Sequence, residues 1–302
     1  MNTSKAAQST NQPTKPVISL DRLTICFNDP DPANVKGTCG LLLNDMYTKQ
    51  VAGMRVTKNA RYAVRCQIPL PFDGPEKHPI FFEAGPLHEG LPDYRLDFNP
   101  SKLTSEGISD LKVLLDTIID PTPLEFFRNG RVTRADVACD LLGYSVADVI
   151  VRSKRKQKHG VYSDRYGIPQ TVYLGTPQSC RTVAYSKPTT DGQISLRLEC
   201  RPKPNCYGYE LAALESPLAH VELLPVTLLD SVDLGVPSSV LADNMRIRGI
   251  NRVLDLFDSD TRKRINQALS SSASILPDGD ALWEYWPKAL INVGLGAELG
   301  AQ

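Results

Sequence analysis

Long apolar runs are missing from this chain. No stretch approaches the roughly 18 uninterrupted apolar residues of a membrane span. The first sixteen residues, MNTSKAAQSTNQPTKP, contain no apolar core of a secretory signal and are expected to be a mobile tail. A cytoplasmic protein is the resulting expectation. CxxC pairs are also absent: the seven cysteines are odd in number and irregularly spaced, which argues against a zinc site or a disulfide framework. Cys26, Cys66, Cys139 and Cys200 fall in β-like runs, where a reduced thiol acts as a small hydrophobe. No Walker motif occurs, and the glycines of GLGAELG (294–300) follow no convincing strand, so no phosphate loop is expected there. Net charge is lacking too, with 34 Lys and Arg against 34 Asp and Glu, which argues against general polyanion stickiness.

The charge is unevenly spread. Arg131 to Glu210 holds 13 Lys and Arg against 7 Asp and Glu, a basic middle that suits a localised polyanion site. Hydrophobic content of 41% and a length of 302 residues allow one large domain or two moderate ones. Period-two alternation predicts strands near 17–28, 61–69, 79–84, 93–99, 131–142, 170–175, 180–187 and 193–201. Helical spacing of Ile108, Leu111, Leu114, Leu115 and Ile118, with Pro121 beyond, predicts a helix at 105–119. Further helices are expected at 145–156, 209–229 and 247–269. Two sets of antiparallel strands, each with helix on one face, describe an α+β fold. The two halves show no sequence repeat but are candidates for a structural one. Texture changes after Pro204, so a domain is expected over 17–205 and a helical region over 206–302.

Alternation also sorts side chains onto faces. In 131–142, Ala135, Val137, Cys139 and Leu141 should pack under the helices, leaving Arg134, Asp136 and Asp140 opposite. In 193–201, Leu196, Leu198 and Cys200 oppose Arg197, Glu199 and Arg201. Arg181, Tyr185 and Lys187 share a face, with Val183 between them. If these polar faces align, Asp136, Glu199 and Asp97 offer hard oxygen ligands for Mg²⁺ or Mn²⁺. Arg181, Lys187 and Arg197 offer cations for phosphate oxygens. A tyrosine among them has the means to attack phosphorus. The competing reading is a solvated sheet with cross-strand ion pairs and no chemistry.

At these residues the chain resembles the trans-acting rolling-circle replication initiators of plasmids and phages. The matching pieces are RVTRADVACD (131–140), TVYLGTPQSCRTVAYSK (171–187) and SLRLECRPK (195–203), with NPSKL after the strand at 93–99. The resemblance covers roughly residues 90–205. It implies a DNA-nicking endonuclease in which Tyr185 forms a 5′-phosphotyrosyl link and releases a 3′-OH primer. It also implies Asp136 and Glu199 at or near a metal, and Lys187 and Arg181 on phosphates. The DNA would be an origin presented as a single strand or hairpin, and unwinding would fall to a separate helicase. Histidine-based nicking is not indicated, because His78, His88, His159 and His220 are scattered. Two departures stand out: Ser186 replaces the family's Asp in "YDK", and Val183 occupies the place of its nearer Arg. Tyr173 and Tyr166 are rival nucleophiles.

RSKRKQKH (152–159) brings five cations without an acid, and Arg152, Lys154, Arg155, Lys156 and Lys158 join Arg134, Arg197 and Arg201 as candidate DNA contacts. A solvated surface face is the competing reading. In the C-terminal region Ile250, Val253, Leu254, Phe257 and Ile265 form an apolar stripe, either core or the interface of a homodimer. Trp283 and Trp286 either stack on bases or pin the chain end. A non-catalytic origin- or RNA-binding protein using the same sheet face is the alternative to the nicking enzyme.

Overall fold

A computed structural model describes residues 16–44, 54–57, 59–69, 79–153, 155–156, 158–189, 191–271 and 273–301. The fold is α+β. The first half runs β1 (Val17–Phe27), α1 (Pro32–Leu43), β2 (Arg55–Thr57), β3 (Tyr62–Ile68), β4 (Ile80–Pro86) and β5 (Tyr94–Phe98). A 3-10 turn at Pro100–Lys102 leads to α2 (Ser105–Ile118) and α3 (Pro123–Asn129). The second half runs β6 (Arg131–Leu142), β7 (Val149–Ser153), β8 (His159–Ser163), β9 (Pro169–Leu174), β10 (Arg181–Pro188) and β11 (Ile194–Arg201). After it come β12 (Cys206–Tyr207), β13 (Val221–Pro225), α4 (Ser238–Arg248), α5 (Ile250–Leu254), α6 (Ser259–Ser271), α7 (Gly279–Trp283) and α8 (Trp286–Asn292).

The two sets of strands join into one antiparallel sheet, ordered β2-β3-β4-β5-β1-β6-β11-β10-β9-β8, with β12 also on β6. Each half begins with a long strand, β1 or β6, and then returns through a meander whose last strand pairs with the first. Pairing of β1 with β6 closes the centre. The two halves therefore share a topology, as their similar texture suggested.

Two expected helices are absent. Residues 145–156 form a 3-10 turn at Val146–Asp148 and then β7, because Val149, Ile150 and Val151 are β-branched and find a partner strand in β13. Residues 209–229 form two 3-10 helices, Gly208–Ala213 and Val226–Ser231, on either side of β13. Pro217 and Pro225 break any longer helix there. The helix expected at 247–269 is divided at Gly249 and again before Ser259 into parts of α4, α5 and α6.

One sheet face carries the main core, as the alternation foretold: Ala135, Val137, Cys139, Leu196, Leu198 and Cys200 are all buried in it. Ile108, Leu111 and Leu115 of α2 cover that face, joined by Leu211, Leu290 and Leu299 from the C-terminal region. Capping is clear locally: Thr104 accepts from Gly107 N at the start of α2, and Thr122 with Glu125 forms a capping box on α3. A second core gathers Ile150 and Leu224 with Leu241, Val253, Leu254 and Ile265. The C-terminal stripe is thus largely core. Trp283 and Trp286 stack on each other at 4.8 Å, and their Nε1 groups donate to the Leu214 and Leu211 carbonyls. They pin the chain end to the domain. All seven cysteines are free. No helix of the described residues is long and apolar enough to cross a membrane.

Candidate functional site

Among the described residues the opposite face of the sheet carries charge. Cross-strand register brings the expected residues side by side. Tyr185 stands opposite Arg197, Val183 opposite Glu199 and Arg181 opposite Arg201 across β10–β11. Arg197 is opposite Asp140 across β11–β6, and Arg22 is opposite Asp136 across β6–β1. A β-bulge between Leu20 and Arg22 shifts the phase of β1, so Leu20 and Leu23 both enter the core while Asp21 joins the polar face.

Asp136 and Glu199 lie together. Arg201 Nε is 2.6 Å from Glu199 Oε1 and 3.9 Å from Asp136 Oδ2, so one guanidinium touches both carboxylates. Arg134 holds Asp136 in a two-pronged pair at 2.8 and 2.5 Å. Even so, burial and then Glu199 push the Asp136 carboxyl above its usual range, against the pull of Arg134 and Arg201. Two guanidiniums thus face two carboxylates, and it is chiefly loss of water around Asp136 that raises its pKa. Among the described residues no cluster of three metal-ligating side chains occurs. Two adjacent hard oxygen donors nonetheless fit Mg²⁺ or Mn²⁺, which commonly take one or two carboxylates and complete their shell from phosphate and water.

Asp97 is placed elsewhere. It sits on β5, two strands from Asp136, and is gripped by Arg22 at 2.7 Å and Arg95 at 2.5 Å. Burial pulls its pKa up, but Arg22 and Arg95 outweigh burial and hold it below the usual carboxylate range. A carboxylate so neutralised, about 10 Å from the Asp136 strand, belongs to a separate ion-pair cluster with Glu83.

Tyr185 donates to Glu199 Oε2 at 3.5 Å. Burial, and then Glu199, push its phenol up to about 12. Lys187, two residues on, is lowered by burial and by Arg197, and it has no ion pair among the described residues. Ser186 alternates to the other face, where its hydroxyl accepts from Val146 N at 3.0 Å. A residue at that position therefore faces away from Tyr185. Tyr173 shares the polar face, with the Arg181 guanidinium 3.9 Å over its ring. Tyr166 lies in the exposed turn after β8, at 72% exposure, away from the carboxylates.

The candidate DNA contacts divide sharply. Arg134, Arg181 and Arg201 line a pocket of about 220 Å³ with Ser179 and Lys203 and no acid. Arg181 Nε is buried there without a hydrogen-bond partner among the described residues. Arg197 is different: it is 7% exposed and fully engaged, by Asp140 at 2.7 and 2.6 Å and by Asp21. Arg152 pairs with Glu222, and Lys156 donates to the Thr182 hydroxyl. Arg155 is exposed, Lys158 lies just before β8, and Lys154 falls outside the described residues. This basic segment is the end of a strand and a loop, not a helix end.

Sequence reading missed Asp21, Arg22 and Lys203 as members of this face. Asp21 and Arg22 had a visible signal, since Ile18, Leu20, Leu23 and Ile25 change phase across them. Compared with known proteins, the chain matches no family model and no curated sequence.

Proposed function

We propose that this protein is a replication initiator that nicks one DNA strand through Tyr185. The observation that carries the proposal is one open sheet face bearing a tyrosine hydroxyl on a glutamate, a second carboxylate beside it and an acid-free arginine pocket. Arg181 lies four residues along β10 from Tyr185, about 13 Å, which is on the scale of two nucleotides of extended strand. A phosphate in the pocket of Arg134, Arg181 and Arg201 would thereby set the register of the strand, leaving another phosphate before Tyr185.

In the proposed step the Tyr185 oxygen forms a bond to phosphorus and the phosphorus–O3′ bond breaks. The products are a 5′-phosphotyrosyl link and a 3′-OH primer. The phenolic proton passes to Glu199, which already accepts it. Lys187 faces the charge that develops on the attacked phosphate, while Arg181 holds the neighbouring phosphate in its pocket. Mg²⁺ or Mn²⁺ held by Asp136 and Glu199 would supply Lewis-acid neutralisation of that charge and favour the phenolate. The substrate would be a plasmid or phage origin in single-stranded or hairpin form, opened further by a partner helicase, and recognition or a homodimer would use the outer surface of the C-terminal region, since its apolar stripe is largely core.

A non-catalytic origin- or RNA-binding protein is the second reading. It is favoured by the ion pairing of every carboxylate on the face and by a phenol at about 12. The deciding experiment incubates the protein with single-stranded oligonucleotides from its own replicon, with and without Mn²⁺. A metal-dependent, denaturation-resistant adduct that is lost in Tyr185→Phe is expected. Tight binding without any adduct would overturn the nicking proposal, and an adduct surviving the substitution would move the nucleophile to Tyr173 or Tyr166.

A further inference from the structure

The reverse of the sheet, away from Tyr185, holds a cavity of about 700 Å³ between β7, β9 and the α4–α5 junction. Val172 and Leu174 of β9 form its floor, while Tyr173 between them points to the other face. Val151, Met245 and Ile250 extend the apolar surface. The rim is cationic, with Arg152, Lys156, Arg248 and Arg252, and no carboxylate lines the cavity among the described residues. Arg152 is committed to Glu222, but Arg248 and Arg252 are exposed and have no carboxylate partner among the described residues. A neighbouring hollow shares His159, Arg248 and Arg252 and adds Lys158, with one carboxylate, Asp255, on its lining.

The junction that presents these arginines is conformationally fixed. Gly249 has φ +87°, and a Cβ there would lie 2.7 Å from His159 Cε1. The His159 ring packs on this backbone and bonds the Ile247 carbonyl at 3.1 Å. Arg246, on the same helix, is tied to the Val149 and Ala147 carbonyls. Two unpaired cations are thus held over an apolar floor in a cleft whose size suits a small ligand. Like charges at a low-dielectric wall concentrate an anion of opposite sign. Val172, Leu174 and Met245 are almost wholly buried already, so the apolar surface left for a ligand is the half-buried Ile250 with the stems of the exposed arginines.

We infer that this cavity is a site for a phosphate ester such as a nucleotide: the phosphate is held by Arg248 and Arg252, and the organic part packs on Ile250 and the stems of those arginines at the mouth. The site stands independently of Tyr185 and of any nicking activity. Its phosphate can come from a free nucleotide or from a nucleotide of a bound strand. The test titrates the full-length protein with mant-dATP at low salt. Arg248→Glu/Arg252→Glu is the charge-reversed variant, and Ile250→Trp fills the mouth without changing charge. Saturable binding is expected, weakened about tenfold or more in both variants and unchanged in Arg181→Glu on the opposite face. Displacement by inorganic triphosphate but not by a short oligothymidylate assigns the site to free nucleotide, and displacement by the oligothymidylate assigns it to a strand. Absence of saturable binding overturns the inference, as does wild-type affinity in the folded charge-reversed variant.

Discussion

Replacing Arg197 by methionine keeps most of the side-chain volume and removes a guanidinium that holds Asp21 and Asp140 together across three strands. The Arg197 side chain is 8% exposed and that of Asp21 11%, whereas that of Asp140 is 32% exposed. After the substitution Asp21 keeps, among the described residues, only the Ser101 hydroxyl as a hydrogen-bond partner, 3.0 Å away, so a buried carboxylate is left almost unpaired. Removing one partner of a buried pair costs about 3–5 kcal/mol, and because Asp140 can regain water the lower end, about 3 kcal/mol, applies. With a urea m-value of about 3 kcal/mol/M, the unfolding midpoint should fall by about 1 M. Adding Asp21→Asn to Arg197→Met neutralises the stranded charge and should recover about 1–2 kcal/mol, a coupling that a double-mutant cycle measures directly. Affinity for single-stranded DNA, measured well below the midpoint, should hardly change. An unshifted midpoint together with weakened DNA binding would show that Arg197 faces ligand and that the clamp reasoning is wrong.

Asp97 and Asp136 should respond to pH with opposite signs. Asp97 has a lowered folded pKa, so its stabilisation is present above the unfolded value of 3.8 and is lost as pH falls through the folded one. Asp136 has a raised folded pKa, so stability is lost as pH rises from 3.8 through the folded value. In EDTA at neutral pH, melting curves should therefore show Asp97→Asn destabilised and Asp136→Asn stabilised, with both differences shrinking in acid; the same sign for both would contradict the assignment. Gly208→Ala places a Cβ 1.8 Å from the Phe127 carbonyl oxygen and should cost about 1–3 kcal/mol or more by denaturant unfolding. On the proposed function, Arg181→Gln removes one phosphate contact and should flatten the plot of log affinity against log salt for single-stranded DNA by about 0.7, while Arg197→Gln leaves the slope unchanged. Equal slopes for wild type and Arg181→Gln would remove the arginine pocket from the DNA path.

Local sequence determined more of the sheet than of the rest. Strict alternation in 131–142 fixed both the strand and its two faces, because a pleated strand sends Val137 and Cys139 one way and Asp136 the other whatever its neighbours are. The same logic located β10 and β11, and helical spacing with a Thr104 cap located α2. Residues 145–156 and 209–229 were misread because short apolar runs satisfy both periods, and only the distant pairing of β7 with β13 made Val149–Ser153 and Val221–Pro225 strands, with 3-10 turns around them. Likewise, no local pattern joined the two meanders through β1 and β6, whose paired residues lie more than a hundred positions apart. The sequence placed carboxylates, arginines and tyrosines on one face, but strand order and a single bulge chose their partners. Asp136 fell beside Glu199, Asp97 fell to Arg22 and Arg95, and Arg197 was closed off by Asp21. Which face a side chain occupies is set by its own strand, whereas which charge it meets depends on register with strands remote in the chain.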